Sequence, residues 1–180
     1  MKLLARSFLR LTGWEAEGSA PAEKRFVLIA APHTSNWDLA YLLALAAVYD
    51  LRISWMGKHQ LFRPPLGWLM RRVGGVPIVR HQRRNMVDLM VQEFEEREEF
   101  CLVVPVEATR ARTPHWKSGF YHIASQAGVP IVMGYLDYSR KRGGFGAGLH
   151  PSGDVRRDMD ELRAFYEPIV GRHPEEFGPI

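Results

Sequence analysis

The sequence predicts a single α/β domain, a mixed and mostly parallel sheet flanked by helices, with an amphipathic helix at its amino terminus. Candidate strands alternate with candidate helices, and the strands are continuously apolar rather than half polar. Strands of that kind are buried on both faces, as in parallel sheets covered by helices. The 180 residues are the length of one ordinary domain, and no linker rich in proline, glycine or serine divides them. We therefore expect an amino-terminal helix in residues 1–14 and one domain in residues 15–180.

The amino-terminal segment, residues 2–11, has the pattern of a short amphipathic helix. Its basic residues, Lys2, Arg6 and Arg10, are spaced four apart on one helical face. The rest of the segment is apolar, with Leu3, Leu4, Phe8 and Leu11, and Trp14 follows it. Such a helix either lies in a membrane interface or packs on its own domain, and the pattern does not choose between the two. Roughly three turns are too few for stable membrane binding by this element alone.

The first half of the domain begins with an apolar strand at residues 25–31, which Pro32 ends. A helix is predicted over residues 36–50 with Ser35 as its N-cap, and a second strand over residues 53–57.

The second half continues the alternation. Gly128 is a typical carboxyl-terminal stop for a helix. The predicted elements are strands at 76–79, 100–106 and 129–136, helices at 84–99, 120–127 and 155–170, and a glycine-rich loop or irregular strand at 143–153.

The composition, 46% hydrophobic and 24% charged, is that of a folded protein. Cys101 is the single cysteine, so it cannot form an internal disulfide, and within the apolar run 100–104 we expect it to be a small buried side chain. The net charge of +4 suits anionic partners, whether nucleic acid, phosphorylated ligands or an acidic membrane surface.

The longest apolar run, residues 39–49, is much shorter than the roughly 20 residues that span a bilayer. The amino terminus lacks the continuous apolar stretch and cleavage site of a signal peptide. We therefore expect a cytoplasmic protein.

The sharpest local pattern is the run from His33 to Asp38, at a predicted junction between strand and helix. Because a helix turns once per 3.6 residues, the two side chains meet only if His33 lies in the turn before the helix and folds back. A carboxylate on one imidazole nitrogen would leave the other nitrogen to accept a hydroxyl proton. In the ordinary interpretation His33 is a polar residue at a strand end and Asp38 a first-turn carboxylate. Taken alone, the pattern favours the ordinary interpretation.

Two arginines follow other predicted strands. Arg80 ends the run that begins at Gly74, and Arg110 follows the strand that ends near Glu107. Guanidinium groups bind phosphate through paired hydrogen bonds. If the two arginines converge beside His33, the sequence predicts an anion site.

Together these segments resemble the lysophosphatidic acid acyltransferase family, the glycerolipid acyltransferases. The family's first block, a histidine, four residues and an aspartate, is matched by residues 33–38. Its second, a glycine and a short apolar run ending in arginine, is matched by residues 75–80. Its third, proline-glutamate-glycine-threonine-arginine, is matched in part by residues 106–110, and its fourth loosely by residues 129–132. The resemblance extends over residues 25–138, with all blocks in the family's order.

The resemblance implies a glycerol-3-phosphate acyltransferase-like fold and a role for each block. His33 would be the general base, oriented by Asp38, and the acceptor hydroxyl would attack the thioester of acyl-CoA or acyl carrier protein directly. Arg80 and Arg110 would hold the acceptor's phosphate, with Glu107 and Thr109 completing the acceptor site.

No cofactor or metal is expected, since neither a His-Glu-x-x-His motif nor paired cysteines occur. No Gly-x-Ser-x-Gly elbow is present either, which agrees with transfer without an acyl-enzyme. We expect peripheral association with the inner face of an anionic membrane.

The third block departs from the family at two positions. Val106 replaces its proline and Ala108 its glycine, and in the second block Val79 stands where relatives often have aspartate. An alanine forced into a left-handed backbone conformation would cost about 1–2 kcal/mol. We expect the chemistry to be kept, with an unusual acceptor or weakened acceptor binding.

Three alternatives remain beside a lysophosphatidic-acid-like acceptor. The acceptor is another lyso-lipid, or the protein is a catalytically weak binder of lipid or acyl carrier, or it binds nucleic acid. The last rests on the sequence pI of about 9.4 alone, and we expect no nucleic-acid partner because no recognition motif is present. The apolar and basic segment 61–70 either lines an acyl groove or membrane contact, or packs in the core.

Overall fold

A seven-stranded sheet forms the centre of the protein in a computed structural model that describes residues 2–78, 83–107 and 112–178. In chain order its strands are β1 Glu15–Glu17, β2 Arg25–Ala31, β3 Ile53–Lys58, β4 Gly75–Ile78, β5 Phe100–Pro105, β6 Ile131–Asp137 and β7 Arg142–Leu149. Across the sheet they follow the order β1-β7-β6-β2-β5-β3-β4. Neighbouring strands are parallel except β6 and β7, which are antiparallel. The predicted mixed, mostly parallel sheet is confirmed.

Helices cover both faces of this sheet. They are α1 Lys2–Thr12, α2 Trp37–Val48, α3 Gly67–Arg72, α4 Arg83–Glu96, α5 Gly119–Ala127 and α6 Val155–Tyr166, with 3₁₀ turns at His59–Phe62 and Pro174–Glu176. Side chains of β2 alternate between the faces, as those of a strand must. Val27 and Ile29 pack with α4, α5 and α6, whereas Leu28 lies on the opposite face, with Leu42 of α2.

The amino-terminal helix α1 packs on α2. Ala5 and Leu9 are buried in a cluster with Tyr41, Leu45 and Trp14. Its outer side carries three strongly exposed leucines, Leu3, Leu4 and Leu11. The helix is therefore part of the domain surface, with an apolar edge left open.

Several element limits differ from those expected from sequence. The glycine-rich stretch expected to be a loop or irregular strand is largely strand β7, which pairs with β6 and β1 and whose register with β6 shifts between Val132 and Gly134, so the second of these alternatives is confirmed. Gly144 makes the second pairing possible, since a Cβ there would lie 2.1 Å from the carbonyl oxygen of Glu17. Helix α6 ends at Tyr166 instead of residue 170, because Pro168 has no N–H to continue the helix.

The segment 61–70 lies partly in the core and partly at the surface. Phe62 is buried against Gly57 and Gly75, where an added Cβ would collide with its ring. Leu66 and Trp68 are exposed. The segment thus contributes one anchor to the core and an apolar surface around α3.

Cys101 of β5 is buried, as expected from its apolar surroundings. Burial raises the pKa of its thiol far above the ordinary value. The thiol stays protonated and inaccessible, which makes it unsuitable as a nucleophile.

Candidate active site

The site lies where three parallel strands of the sheet centre end. Strand β2 pairs with β5 on one side and β6 on the other, so the residues that follow Ala31, Pro105 and Asp137 reach the same edge. Ligands in open α/β sheets bind at this carboxyl-terminal edge. His33 and Glu107, which are far apart in sequence, are brought together here.

His33 and Asp38 are in contact. The Nδ1 atom of His33 lies 3.2 Å from Oδ2 of Asp38. The same Oδ2 accepts the main-chain N–H groups of Thr34 and Ser35, each at 2.9 Å, which folds the turn back onto the helix. Asp38 therefore does both things considered from sequence: it binds N–H groups ahead of the helix, and it contacts the imidazole.

The exposure of the two side chains differs in a way that suits proton transfer. The Asp38 side chain is 7% exposed, whereas that of His33 is 26% exposed. An imidazole nitrogen can thus meet a substrate while the carboxylate behind it is shielded from water. Shielding strengthens the electrostatic effect of a carboxylate on its partner.

The start of α2 differs from the expected N-cap. Asn36 occupies the cap position without a side-chain cap hydrogen bond, and the helix begins at Trp37. The Ser35 hydroxyl still accepts the Trp37 N–H at 3.2 Å. The cap position thus lies one residue later than expected, and Ser35 supports the first turn from the residue before it.

Glu107 holds the main chain of His33. Its carboxylate oxygens lie 3.3 Å and 3.1 Å from the His33 nitrogen, which donates its N–H. The side chain is only 2% exposed. Loss of water raises the pKa of this carboxyl to about 7, and the hydrogen bond from His33 offsets part of the rise. Glu107, which was expected to help hold the acceptor, is thus a structural contact of His33.

Tyr138 is a site residue that the sequence interpretation missed. Its hydroxyl donates to Oδ1 of Asp38 at 2.6 Å. Burial and the neighbouring Asp38 raise the pKa of the phenol well above its ordinary value, so it remains a donor. A signal was available, because Tyr138 directly follows strand β6, which the fourth block opens.

The segment after α6 packs against the His33 turn. The Tyr138 N–H donates to the Val170 carbonyl at 2.9 Å, and the His173 N–H donates to Oγ1 of Thr34 at 3.1 Å. Between them the Arg172 guanidinium carbon lies 5.9 Å from the centre of the Trp37 ring. This contact places a cation beside the turn.

Three of the six residues expected at the site, Arg80, Thr109 and Arg110, lie outside the described residues, as do Val79 and Ala108. Val106 is fully buried in the core. In the part of the chain that is described, no three histidine, cysteine or acidic side chains cluster as metal ligands would.

The family of the chain follows from comparison with known proteins. An acyltransferase family model matches residues 15–134, which include His33, Asp38 and Glu107. The chain belongs to this family and is an acyltransferase. The match confirms the assignment made from the four sequence blocks.

A particular solved structure has the same fold. The 1-acyl-sn-glycerophosphate (LPA) acyltransferase PlsC from Thermotoga maritima superposes with a TM-score of 0.63 and 16% sequence identity, over 92% of this chain and 76% of that one. At that identity the similarity establishes the architecture. No curated protein matches the chain.

Proposed function

We propose that the protein transfers a fatty acyl group from acyl-CoA or acyl carrier protein to the hydroxyl of a lysophosphatidic-acid-like lipid. Membership of the acyltransferase family supports the reaction class. The name of the Thermotoga maritima relative and the order of the four blocks support the acceptor class. The single observation that carries the proposal is the His33–Asp38 contact at the edge where the central strands end.

The proton is moved by His33. Nδ1 faces Asp38, which leaves Nε2 to accept the proton of the acceptor hydroxyl. The oxygen attacks the thioester carbonyl, the carbon–sulfur bond breaks, and the leaving thiolate takes the proton from the imidazolium. Asp38 stabilises the transient positive charge on His33 and does not itself take a proton. No acyl-enzyme forms on this route.

The acceptor's phosphate is bound by Arg80 and Arg110, and its polar backbone by Glu107 and Thr109. The described position of Glu107, bound to the His33 main chain, supports a site in which acceptor and base adjoin. The changes at Val106 and Ala108 favour a second candidate of the same class, in which the acceptor is a different lyso-lipid.

The protein meets its lipids at the inner face of an anionic membrane. In residues 2–78, 83–107 and 112–178 each helix is too short or too polar to cross a bilayer. Leucines are exposed on α1 and α2, and helix α1 also carries Lys2, Arg6 and Arg10. Apolar side chains beside basic ones suit the interface of an acidic membrane.

The test is release of free thiol from palmitoyl-CoA, and separately from palmitoyl acyl carrier protein, with a panel of lyso-lipid acceptors. Release that depends on lysophosphatidic acid supports the proposal, and release with another lyso-lipid alone supports the second candidate. Binding of lipid without release from either donor would instead indicate a protein that binds acyl chains without transferring them.

A further inference from the structure

We propose that Tyr138 is a positioning residue of this site, whose hydroxyl holds the Asp38 carboxylate in the orientation that presents Oδ2 to His33. The inference rests on the role proposed above for His33. It assigns a function to a residue that belongs to none of the four sequence blocks.

The hydrogen bonds of Asp38 divide between its two oxygens. Oδ2 faces His33 and the N–H groups of Thr34 and Ser35. Oδ1 accepts the Tyr138 hydroxyl at 2.6 Å, a short distance typical of a donor bound to a charged acceptor. Because Asp38 is buried, losing this donor would leave Oδ1 without water to replace it. The carboxylate would then rotate or draw in other donors, and Oδ2 would move relative to the imidazole.

The ring of Tyr138 is fixed by its neighbours. Trp14 meets it edge to face with ring centres 4.8 Å apart, and Tyr41 lies 6.0 Å away in a similar arrangement. Its main-chain N–H is held by the carbonyl of Val170. Trp14 after α1, Tyr41 in α2 and Val170 after α6 therefore fix the ring so that its hydroxyl meets one carboxylate oxygen of Asp38.

Burial first, and then the neighbouring Asp38, raise the pKa of the Tyr138 phenol and keep it a donor. Asp38 disfavours ionisation of Tyr138, and the Arg172 cation acts in the opposite sense but more weakly. Glu107 is the further carboxylate beside His33, at its main-chain N–H. A neutral phenol that donates to an ionised carboxylate is the arrangement that orients without adding charge.

Tyr135, in the strand that Tyr138 directly follows, provides a matched control. Its hydroxyl donates to Oε2 of Glu17 at 2.7 Å, so Tyr135→Phe removes the same kind of bond as Tyr138→Phe. Glu17 lies in the edge strand β1. A general effect of losing a phenol–carboxylate hydrogen bond would appear in both variants, whereas an effect on His33 should appear in Tyr138→Phe alone.

The kinetic test compares both variants with the wild type in the acyl-transfer assay. We expect kcat to fall about tenfold or more in Tyr138→Phe, because the variant loses one hydrogen bond to a charged group. The KM should stay within about twofold of the wild-type value. Tyr135→Phe should remain within about twofold in kcat. In an Asp38→Asn background, adding Tyr138→Phe should change kcat by less than about twofold, since the hydroxyl acts through the carboxylate. Equal kcat in the two phenylalanine variants, or full additivity with Asp38→Asn, would overturn the proposal.

A spectroscopic test does not depend on activity. In protein labelled with ¹⁵N-histidine, the imidazole N–H signal of His33 should move in Tyr138→Phe and stay in place in Tyr135→Phe. If Tyr138→Phe does not fold, 3-fluorotyrosine at position 138 keeps the ring and strengthens the phenol as a donor, and should move the signal the opposite way. If the wild type has no transferase activity but the His33 signal still moves in Tyr138→Phe, the proposed function is refuted and the positioning role of Tyr138 is retained. An unchanged His33 signal would refute the positioning.

Discussion

The main-chain N–H of His33 points to the carboxylate of Glu107, 3.1 Å from its nearer oxygen. Seventy-four positions separate the two residues. The bond ties the turn after β2 to the turn after β5, and so ties the first sequence block to the third. Since the same carboxylate titrates near neutrality, this contact links the geometry of the proposed base to pH.

The first prediction concerns stability and pH. Folding raises the pKa of Glu107 from 4.5 to about 7, so the native state binds more protons than the unfolded state between these values. The free energy of unfolding of the wild type should therefore fall as pH rises from about 5 to 8. Glutamine does not titrate, so Glu107→Gln does not lose stability in this way. The free energy of unfolding of the variant should therefore rise relative to that of the wild type by up to about 3 kcal/mol between pH 5 and pH 8.

Urea denaturation at pH 5 and pH 8 measures this difference. Glu99→Gln is the control, because its exposed side chain pairs with Lys24 at the surface. The difference between control and wild type should change by no more than a few tenths of a kcal/mol. A constant difference between Glu107→Gln and wild type would show that the glutamate is ionised at both pH values.

The second prediction concerns Asp38 itself. Asparagine keeps the size and one acceptor oxygen but cannot stabilise the imidazolium of His33. Asp38→Asn should therefore lower kcat by about 10²- to 10⁴-fold, with a loss of stability of only about 1–2 kcal/mol. Steady-state kinetics and thermal unfolding, measured on one preparation, separate the two effects. A loss of activity that merely follows the unfolded fraction would assign Asp38 a structural role alone.

The third prediction concerns the pairing of β1 with β7. A Cβ at Gly144 would lie 2.1 Å from the Glu17 carbonyl oxygen, so Gly144→Ala must push the strands apart. We expect a loss of about 1–3 kcal/mol in the free energy of unfolding. Gly119→Ala is the matched control, since beyond its chain neighbours and its own helix a Cβ there meets no atom of the described residues within 4 Å, and it should be neutral or stabilising by up to about 1 kcal/mol. Equal stability of the two variants would contradict the close approach of β1 and β7.

The fourth prediction concerns the exposed leucines of α1. Changing Leu4 and Leu11 to glutamate should weaken sedimentation with anionic vesicles several-fold, because it removes apolar contact and adds like charge. Val155→Glu alters an exposed apolar residue on α6, across the sheet from α1 and α2, and should leave vesicle binding unchanged. If all three proteins sediment alike, α1 is not the membrane contact.

The strands that carry the site were accessible from sequence because each is a local apolar run bounded by proline, glycine or polar residues. The contact between His33 and Asp38 was also accessible from sequence, because the two residues lie close together in the chain and meet within one turn. The bond from Tyr138 to Asp38 spans 100 positions and depends on β6 lying beside β2, an order that no local pattern encodes. Strand β1 was also missed, since three residues, Glu-Ala-Glu, have no apolar pattern and form a strand only because β7 pairs with them.

The central claim is that His33 moves the proton in acyl transfer, and one comparison tests it most directly. His33→Ala and His122→Ala are assayed for acceptor-dependent thiol release from palmitoyl-CoA or palmitoyl acyl carrier protein. His122 is an exposed histidine of α5 and serves as the matched control. We predict a fall of at least about 10²-fold in kcat for His33→Ala and an unchanged kcat for His122→Ala. Acceptor-dependent release at the wild-type rate in folded His33→Ala would contradict this role of His33.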